Sequence, residues 1–223
     1  MTKHITYKAK YKDLPINTGK FKKLGVYTDI LKPVYDQLHS LLTHHSRISV
    51  FAFNLHLPVT YISGPSSSNQ LVTEFFKQIK EQLAKSQWQN HKKAIHLWVR
   101  EVGETEKGHY HCFIGLKQTM LRPGGIKDDG YTGIWKLLQS HWKELSGGYV
   151  TPTKYHTVNR GNLIELGEAF KHLSYAAKIR DKDFGTGETH KRFSTSRVRP
   201  KDSRAPSPVA DYEQEPIQDI LVA

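Results

Sequence analysis

Four short stretches of the chain either alternate apolar and polar residues or run apolar residues together. They are rich in Val, Ile, Phe and Leu and cover residues 47–58, 94–101, 109–116 and 149–158. Alternation with a period of two is typical of a half-buried β-strand, and a short continuous apolar run is typical of a strand buried on both faces. The pattern therefore predicts four strands.

Four other stretches place apolar residues three and four positions apart, as an amphipathic helix does. They cover residues 27–45, 70–85, 132–145 and 163–181. In the first of them, Pro33 fits a helix only near the first turn. Residues 64–69, before the second, are predicted to form a loop that ends in a helix cap.

From residue 47 onward the predicted order is β-α-β-β-α-β, followed by one more helix. That order favours an α+β fold, a ferredoxin-like antiparallel sheet with helices on one face and an added C-terminal helix. In such a sheet the strand at 109–116 is central and hydrogen-bonded on both sides, which makes it a rigid support for functional side chains.

The two ends of the chain differ from this middle part. Residues 1–25 are rich in Lys and Tyr without an apolar period, and are predicted to form a basic N-terminal arm. Residues 185–201 form a basic, turn-forming stretch. Residues 201–223 become Pro-rich and then acidic, which predicts a disordered tail. The folded domain is therefore expected to cover residues 26–200.

The most informative motif is His109-Tyr110-His111, which opens the third predicted strand. Strand side chains alternate, so the two imidazoles project to one side and Tyr110 to the other. If residues 102–108 connect two antiparallel strands, Glu101 lies opposite His109 and shares its face. Two imidazole nitrogens and a carboxylate oxygen suit a divalent cation with positions open for a substrate. Because the chain has 13 histidines, the pair alone is weak evidence.

The last predicted helix contains a second candidate group. His172, Tyr175 and Lys178 are three positions apart, so they line one side of a helix. A phenol has a reference pKa of about 10, and it needs a nearby cation or base to act as a nucleophile at neutral pH. Lys178 and a metal ion would supply that assistance. Taken alone, the same residues also fit a half-buried aromatic residue with a solvated lysine one turn away.

Together, these residues resemble a known superfamily. Glu101, the His109–His111 motif and Tyr175-Ala-Ala-Lys178 are similar to the metal, His-hydrophobe-His and tyrosine motifs of the HUH endonucleases, the initiators and relaxases of rolling-circle elements. Within that superfamily the chain resembles the inovirus-type replication proteins, the YagK/YfjJ group. The phrases Leu-Ser-Tyr-Ala-Ala-Lys and Arg-Phe-Ser-Thr-Ser-Arg, the second at residues 192–197, carry this narrower likeness, which covers residues 26–198.

The chain departs from the pattern in two respects. Tyr110 stands where many members carry an aliphatic residue, which is acceptable because that side chain faces away from the metal. Lys171 and Ile179 stand one helical turn from Tyr175, so the resemblance implies a member with a single catalytic tyrosine.

The resemblance implies a rolling-circle replication initiator of a filamentous phage or prophage. In such an enzyme Glu101, His109 and His111 bind one Mg²⁺ or Mn²⁺, and Tyr175, assisted by Lys178, attacks a DNA phosphodiester. The expected activity is nicking and joining of single-stranded or hairpin origin DNA through a covalent 5′-phosphotyrosine. A host or phage helicase is a further expected partner, since the chain has no Gly-x-x-x-x-Gly-Lys-Ser/Thr loop.

Composition agrees with a nucleic-acid partner. The chain has 33 Lys and Arg against 21 Asp and Glu, a formal charge of +12, and a pI of about 9.6. Such an excess favours a polyanion. Arg192, Arg197 and Arg199 would grip a phosphate backbone and Phe193 would stack on a base, although a solvated loop explains the same stretch equally well.

The compartment follows from features that the sequence lacks. A single cysteine, Cys112, excludes an internal disulfide, and the first residues lack the apolar core of a signal peptide. We therefore expect a cytoplasmic protein without a membrane segment.

Three alternatives stay open at this point. One is a DNA-binding prophage protein without enzymatic activity. Another is a transposase or relaxase with the same chemistry. A zinc-structured adaptor is disfavoured because Cys112 has no companion cysteine. Further histidines would be extra ligands, but each is better explained as a surface or core residue: His44, His45, His56, His96 and His172.

Overall fold

The computed structural model describes six ranges of the chain: 4–21, 24–102, 108–119, 124–127, 130–179 and 191–201. The α-helices in these ranges are α1 (Thr28–His44), α2 (Pro65–Leu83), α3 (Gly133–Ser146) and α4 (Leu163–Leu173). Two short 3₁₀ turns follow helices, at Ser86–Trp88 and Ser174–Ala177. The strands are β1 (Ile5–Thr6), β2 (Lys10–Tyr11), β3 (Leu14–Pro15), β4 (Val26–Tyr27), β5 (Arg47–His56), β6 (Ile95–Val102), β7 (Gly108–Lys117), β8 (Ile126–Lys127), β9 (Gly130–Tyr131), β10 (Tyr149–Asn159) and β11 (Phe193–Thr195).

Five of these strands form the main sheet, in the order β10-β5-β7-β6-β11. Every neighbouring pair is antiparallel. The predicted α+β class is confirmed, and the four long strands occur with α2 and α3 in the predicted chain order. Strand β7, which carries the histidine pair, is central and paired on both sides. It is thus held by two ladders of backbone hydrogen bonds.

Helices cover both faces of this sheet. The crossover helices α2 and α3 share one face, as predicted, where they pack on Phe53, Trp98 and other apolar residues. Helices α1 and α4 cover the opposite face, with Val50 and Leu97 among the buried residues there. The prediction of helices on one face is therefore incomplete. Strand β5 shows the reason, because its side chains are apolar in both directions, and such a strand is stable only when both faces are covered.

Two helix boundaries differ from the prediction. Helix α2 begins at Pro65 instead of residue 70. Proline suits the first helical position, where its missing N–H would have no intrahelical partner. Helix α1 begins at Thr28, so Pro33 lies in the second turn and not the first. The Asp29 carbonyl there loses its intrahelical bond.

The predicted helix over 163–181 is also shorter than expected. Helix α4 ends at Leu173, and Ser174–Ala177 continue it as a 3₁₀ turn. Lys178 is already extended and forms a bridge with Val26. The tyrosine therefore lies on the 3₁₀ turn, and the end predicted at Asp181 lies outside the described residues.

The N-terminal segment, predicted as a basic arm, is folded against the domain over residues 4–21. Strand β1 pairs with β4, and β2 pairs with β3. Leu14 and Ile16 are buried in the same core as α1 and α4. The predicted tail lies outside the described residues apart from Lys201. Among the described residues, no helix combines the length and apolar character needed to cross a bilayer.

Candidate metal centre and tyrosine

Strand register brings the three predicted metal ligands together. Glu101 on β6 is paired with His109 on β7, the pairing that the sequence predicted, and His111 follows two residues later on the same face. Glu101 is almost fully buried, with 2% of its surface exposed. The two histidine side chains are more open, at 28% and 15% exposed. The group is closed below by the carboxylate and accessible from the imidazole side.

The ligand atoms converge on one point. Glu101 Oε2 lies 2.7 Å from His111 Nε2 and 3.3 Å from His109 Nε2. The two Nε2 atoms are 3.3 Å apart. Among the described residues, these three side chains form the group of His, Cys, Asp and Glu whose ligand atoms all lie within 4.8 Å of one another.

These separations fit a divalent cation. Adjacent ligands in an octahedral shell about 2.1 Å from the metal lie about 3.0 Å from each other. The observed separations of 2.7 to 3.3 Å bracket that value. Two imidazoles and one carboxylate would occupy one side of the shell and leave the other positions for water or substrate oxygens.

Tyr175 and Lys178 lie beside this group. Lys178 Nζ donates a hydrogen bond to Tyr175 Oη at 2.6 Å and lies 3.6 Å from Glu101 Oε1. The Tyr175 ring meets the His111 ring edge-on, with centroids 5.6 Å apart. Lys178 is buried, whereas Tyr175 is 39% exposed. The lysine thus links the phenol to the carboxylate, and the phenol stays accessible from solvent.

The tyrosine turn is held by the N-terminal segment. The Asn17 amide donates to Ser174 Oγ at 2.8 Å, and the Ile179 amide donates to the Gly25 carbonyl at 3.0 Å. A Cβ at Gly25 would lie 2.2 Å from Ile179 Cδ1, so a larger residue there would require the Ile179 side chain to move. Sequence reasoning missed Asn17 and Gly25, because backbone contacts of this kind leave no periodic signal.

The opposite face of β7 has a different role. Tyr110 is fully buried, and its hydroxyl is hydrogen-bonded to Ser68 Oγ at 2.7 Å and to Asn69 Oδ1 at 3.0 Å. Burial raises the pKa of Tyr110 to about 12, so the phenol stays protonated and keeps donating. Burial also raises the pKa of the Cys112 thiol. Tyr110 anchors the first turns of α2, and neither residue takes part in the ligand group.

A cavity of about 270 Å³ opens beside His111 and Tyr175. Its apolar lining includes Ala52, Leu97 and Phe113, and its polar lining includes Asn17, Asn54, Thr153 and His172. His172 Nδ1 lies 3.0 Å from His156 Nε2. Burial lowers the pKa of both rings, that of His156 to about 4, so at neutral pH the pair is uncharged.

The predicted DNA-binding residues do not form one cluster. Arg192 precedes β11, and its carbonyl accepts from the Arg100 amide, so it lies at the end of the sheet that carries Glu101. Arg197 and Arg199 are exposed, but the chain there leads away from Glu101 and follows α1, where the Arg199 carbonyl contacts His44 Nε2 at 2.9 Å. Phe193 is only partly exposed.

The Phe193 ring packs against the core shared by α1 and α4. The stretch predicted to be turn-forming instead adds β11 to the sheet, where Phe193 is paired with Val99. The structure therefore gives this ring a packing role, and base stacking by Phe193 stays a prediction.

The other histidines considered as ligands lie outside the group. The His96 ring stacks on Phe76, on the face that α2 and α3 cover. The His56 ring is parallel to that of His109 at 5.7 Å, and burial, with His109 and His111 nearby, lowers the pKa of His56. His44 and His45 lie at the end of α1.

Comparison with known proteins identifies the family. The model of the YagK/YfjJ C-terminal domain matches residues 9–196, most of the chain. The chain belongs to the YagK/YfjJ family. The match covers every element of the sheet, the metal group and the tyrosine turn. No curated protein and no solved structure gives a significant match.

Proposed function

We propose that this YagK/YfjJ family member is a replication initiator of the HUH endonuclease type, encoded by an inovirus or an integrated prophage. The observation that carries the proposal is the position of one phenol. Tyr175 Oη accepts a hydrogen bond from Lys178 Nζ. This nitrogen lies 3.6 Å from Glu101 Oε1, in the metal group formed by Glu101, His109 and His111. A nucleophile, a cation to assist it and a metal-binding group therefore lie together at an accessible place.

In the proposed reaction, Tyr175 Oη attacks the phosphorus of a DNA phosphodiester. A bond forms between the phenolic oxygen and phosphorus, and the bond from phosphorus to O3′ breaks. The phenol gives up its proton, and the departing O3′ takes one up to become a 3′-hydroxyl. The 5′-phosphate stays on the tyrosine, so a second 3′-hydroxyl can reverse the step and rejoin a strand.

The other residues of the group hold the phosphate and its charge. A Mg²⁺ or Mn²⁺ bound by Glu101, His109 and His111 would polarise the scissile phosphate and offset its developing charge. Lys178, already beside the phenol, would keep the attacking oxygen in place and add a positive charge next to the phosphate.

The proposed substrate is single-stranded or hairpin origin DNA. An accessible scissile phosphate must reach the metal group and Tyr175 together, which is easier in an unpaired strand than in a duplex. The net charge of +12 favours attraction to any such strand. Unwinding is assigned to a host or phage helicase and the site of action to the cytoplasm. A transposase or relaxase would use the same residues, and choice of DNA sequence would separate these roles.

A covalent adduct is the direct test. The protein is incubated with Mn²⁺ and single-stranded oligonucleotides that tile the origin region of the encoding element, and the products are separated on a denaturing gel. A protein–DNA adduct is expected, and Tyr175→Phe should abolish it while DNA binding persists. Tyr155→Phe is the matched control, because that phenol lies on the other face of the sheet, the one covered by α2 and α3. There it is hydrogen-bonded to Ser49 Oγ and packs on Phe51.

Two outcomes would contradict the proposal. An adduct that survives Tyr175→Phe would assign the nucleophile elsewhere. DNA binding by the unmodified protein without an adduct at any origin sequence would favour the non-enzymatic DNA-binding alternative.

A further inference from the structure

A row of three aromatic rings leads from the metal group to the protein surface. His109 is parallel to His56, with ring centroids 5.7 Å apart and an interplanar angle of 13°. His56 in turn stacks on Tyr149 at 4.5 Å and 9°. The outermost ring, Tyr149, is 54% exposed. One face of the Tyr149 ring lies on His56.

The backbone holds this row in a fixed position. Tyr149 begins β10 and is paired directly with His56. The His56 carbonyl accepts a hydrogen bond from the buried Trp142 indole at 2.9 Å. A Cβ at Gly148 would lie 2.0 Å from the same carbonyl, so only glycine allows the chain to pass this close. The stack is thus formed before any ligand arrives.

A large ring exposed in this way contrasts with the next tyrosine on the same strand. Tyr155 lies on the opposite face, where its ring packs on Phe51 at 5.1 Å and its hydroxyl bonds Ser49 Oγ. A register shift between Pro152 and Lys154 separates the two positions. Packing and hydrogen bonding account for the position of Tyr155, whereas more than half of the Tyr149 surface is exposed.

We propose that Tyr149 is a stacking platform for a nucleobase of the DNA strand whose phosphate occupies the metal group. This inference rests on the proposed function, because it takes the substrate to be an unpaired strand. A base offers a flat π-face that can continue the row of parallel rings, and stacking of this kind accepts any base. The two ring separations place the platform within a short nucleotide span of His109.

Affinity and crosslinking test the platform without chemistry at the phosphate. All proteins carry Tyr175→Phe, which removes the proposed nucleophile, and are assayed in Mn²⁺ with a fluorescein-labelled single-stranded oligonucleotide from the origin region. Tyr149→Ala should weaken binding roughly 5- to 150-fold, the range expected for loss of one stacked base. Tyr149→Phe, which keeps the ring, should bind almost as the parent does.

The matched control is Ile164→Ala, which also shortens an exposed apolar side chain, at the far end of the sheet from Tyr149. It should leave affinity unchanged. A second readout places 5-iodouracil at one oligonucleotide position at a time. Irradiation should crosslink one position to the peptide that contains Tyr149, as identified by mass spectrometry.

Equal affinity for Tyr149→Ala and Tyr149→Phe, together with crosslinks confined to other peptides, would overturn the platform. The adduct assay on proteins that retain Tyr175 is independent of this result. If the adduct forms but Tyr149→Ala does not weaken DNA binding, the proposed function is supported and the stacking platform is not. A stacking effect without any adduct would mean that the platform serves a DNA-binding protein.

Discussion

The two faces of strand β7 differ in polarity, although successive residues alternate between them. On the face covered by α1 and α4, His109 and His111 meet Glu101 in a polar group that is partly open to solvent. On the face covered by α2 and α3, Tyr110 and Cys112 are buried among apolar side chains. One peptide segment thus contributes both to a site and to a core.

This difference shows how a rigid site can be built at little structural cost. Side chains that point toward α2 hold the strand in place through apolar contact and the Tyr110 hydroxyl. Their neighbours, which point the other way, are then not needed for packing on that face and can serve as metal ligands. Changes on the first face should therefore alter stability, and changes on the second should alter metal binding and the proposed activity.

The largest effect is expected at the ligand group. Glu101→Gln keeps the size of the side chain but removes the charge that binds a cation. Because a bound metal contributes several kcal/mol to the transition state, we expect the nicking rate to fall by about 10² to 10⁴. Mn²⁺ affinity, measured by electron paramagnetic resonance, should fall with it, and EDTA should reduce the unmodified protein to a similar rate.

Glu168→Gln on the exposed side of α4 is the control for loss of one carboxylate. It should leave both Mn²⁺ affinity and nicking unchanged. Undiminished Mn²⁺ binding by Glu101→Gln would show that the ion binds elsewhere.

The ligand group was open to prediction from the sequence because it depends on local rules. Alternation along a strand puts His109 and His111 on one side, and a short connection puts Glu101 opposite His109. The pairing observed between β6 and β7 confirms that reasoning. Only residues close in the chain and a single hairpin are involved, so few arrangements compete.

Features that join distant parts of the chain were not predicted. The contact between Tyr149 and His56 depends on the register between β10 and β5, and the tyrosine turn depends on Gly25. Helix α4 was predicted too long because the apolar spacing continues through Ala177, whereas the bridge between Lys178 and Val26 ends the helical path. Such tertiary contacts override a periodic pattern.

A smaller effect is expected at His96, on the face covered by α2 and α3. Burial, with a smaller contribution from Lys80, lowers the pKa of His96 to about 3. A histidine with a depressed folded pKa binds its proton more tightly when unfolded, so stability is full above about pH 6.5 and declines as the pH falls toward 3. At pH 5 this should cost at most about 2 kcal/mol.

His96→Phe removes the titrating group and keeps a ring to stack on Phe76. Urea unfolding at pH 7 and pH 5 should show a smaller loss of free energy of unfolding for the variant than for the unmodified protein. An identical loss in both proteins would assign the acid sensitivity to other groups.

The smallest effect, and the sharpest contrast with Glu101, is expected at Tyr110. Tyr110→Phe removes the hydroxyl that is hydrogen-bonded to Ser68 and Asn69 at the start of α2. Loss of this hydrogen-bonded group should lower the free energy of unfolding by about 1 kcal/mol, as measured by urea denaturation. The nicking rate well below the melting temperature should stay the same, because the changed atom lies on the far side of the strand from both imidazoles. A loss of nicking as large as that of Glu101→Gln would show that the two faces are coupled, and would remove the separation of core and site on which the comparison depends.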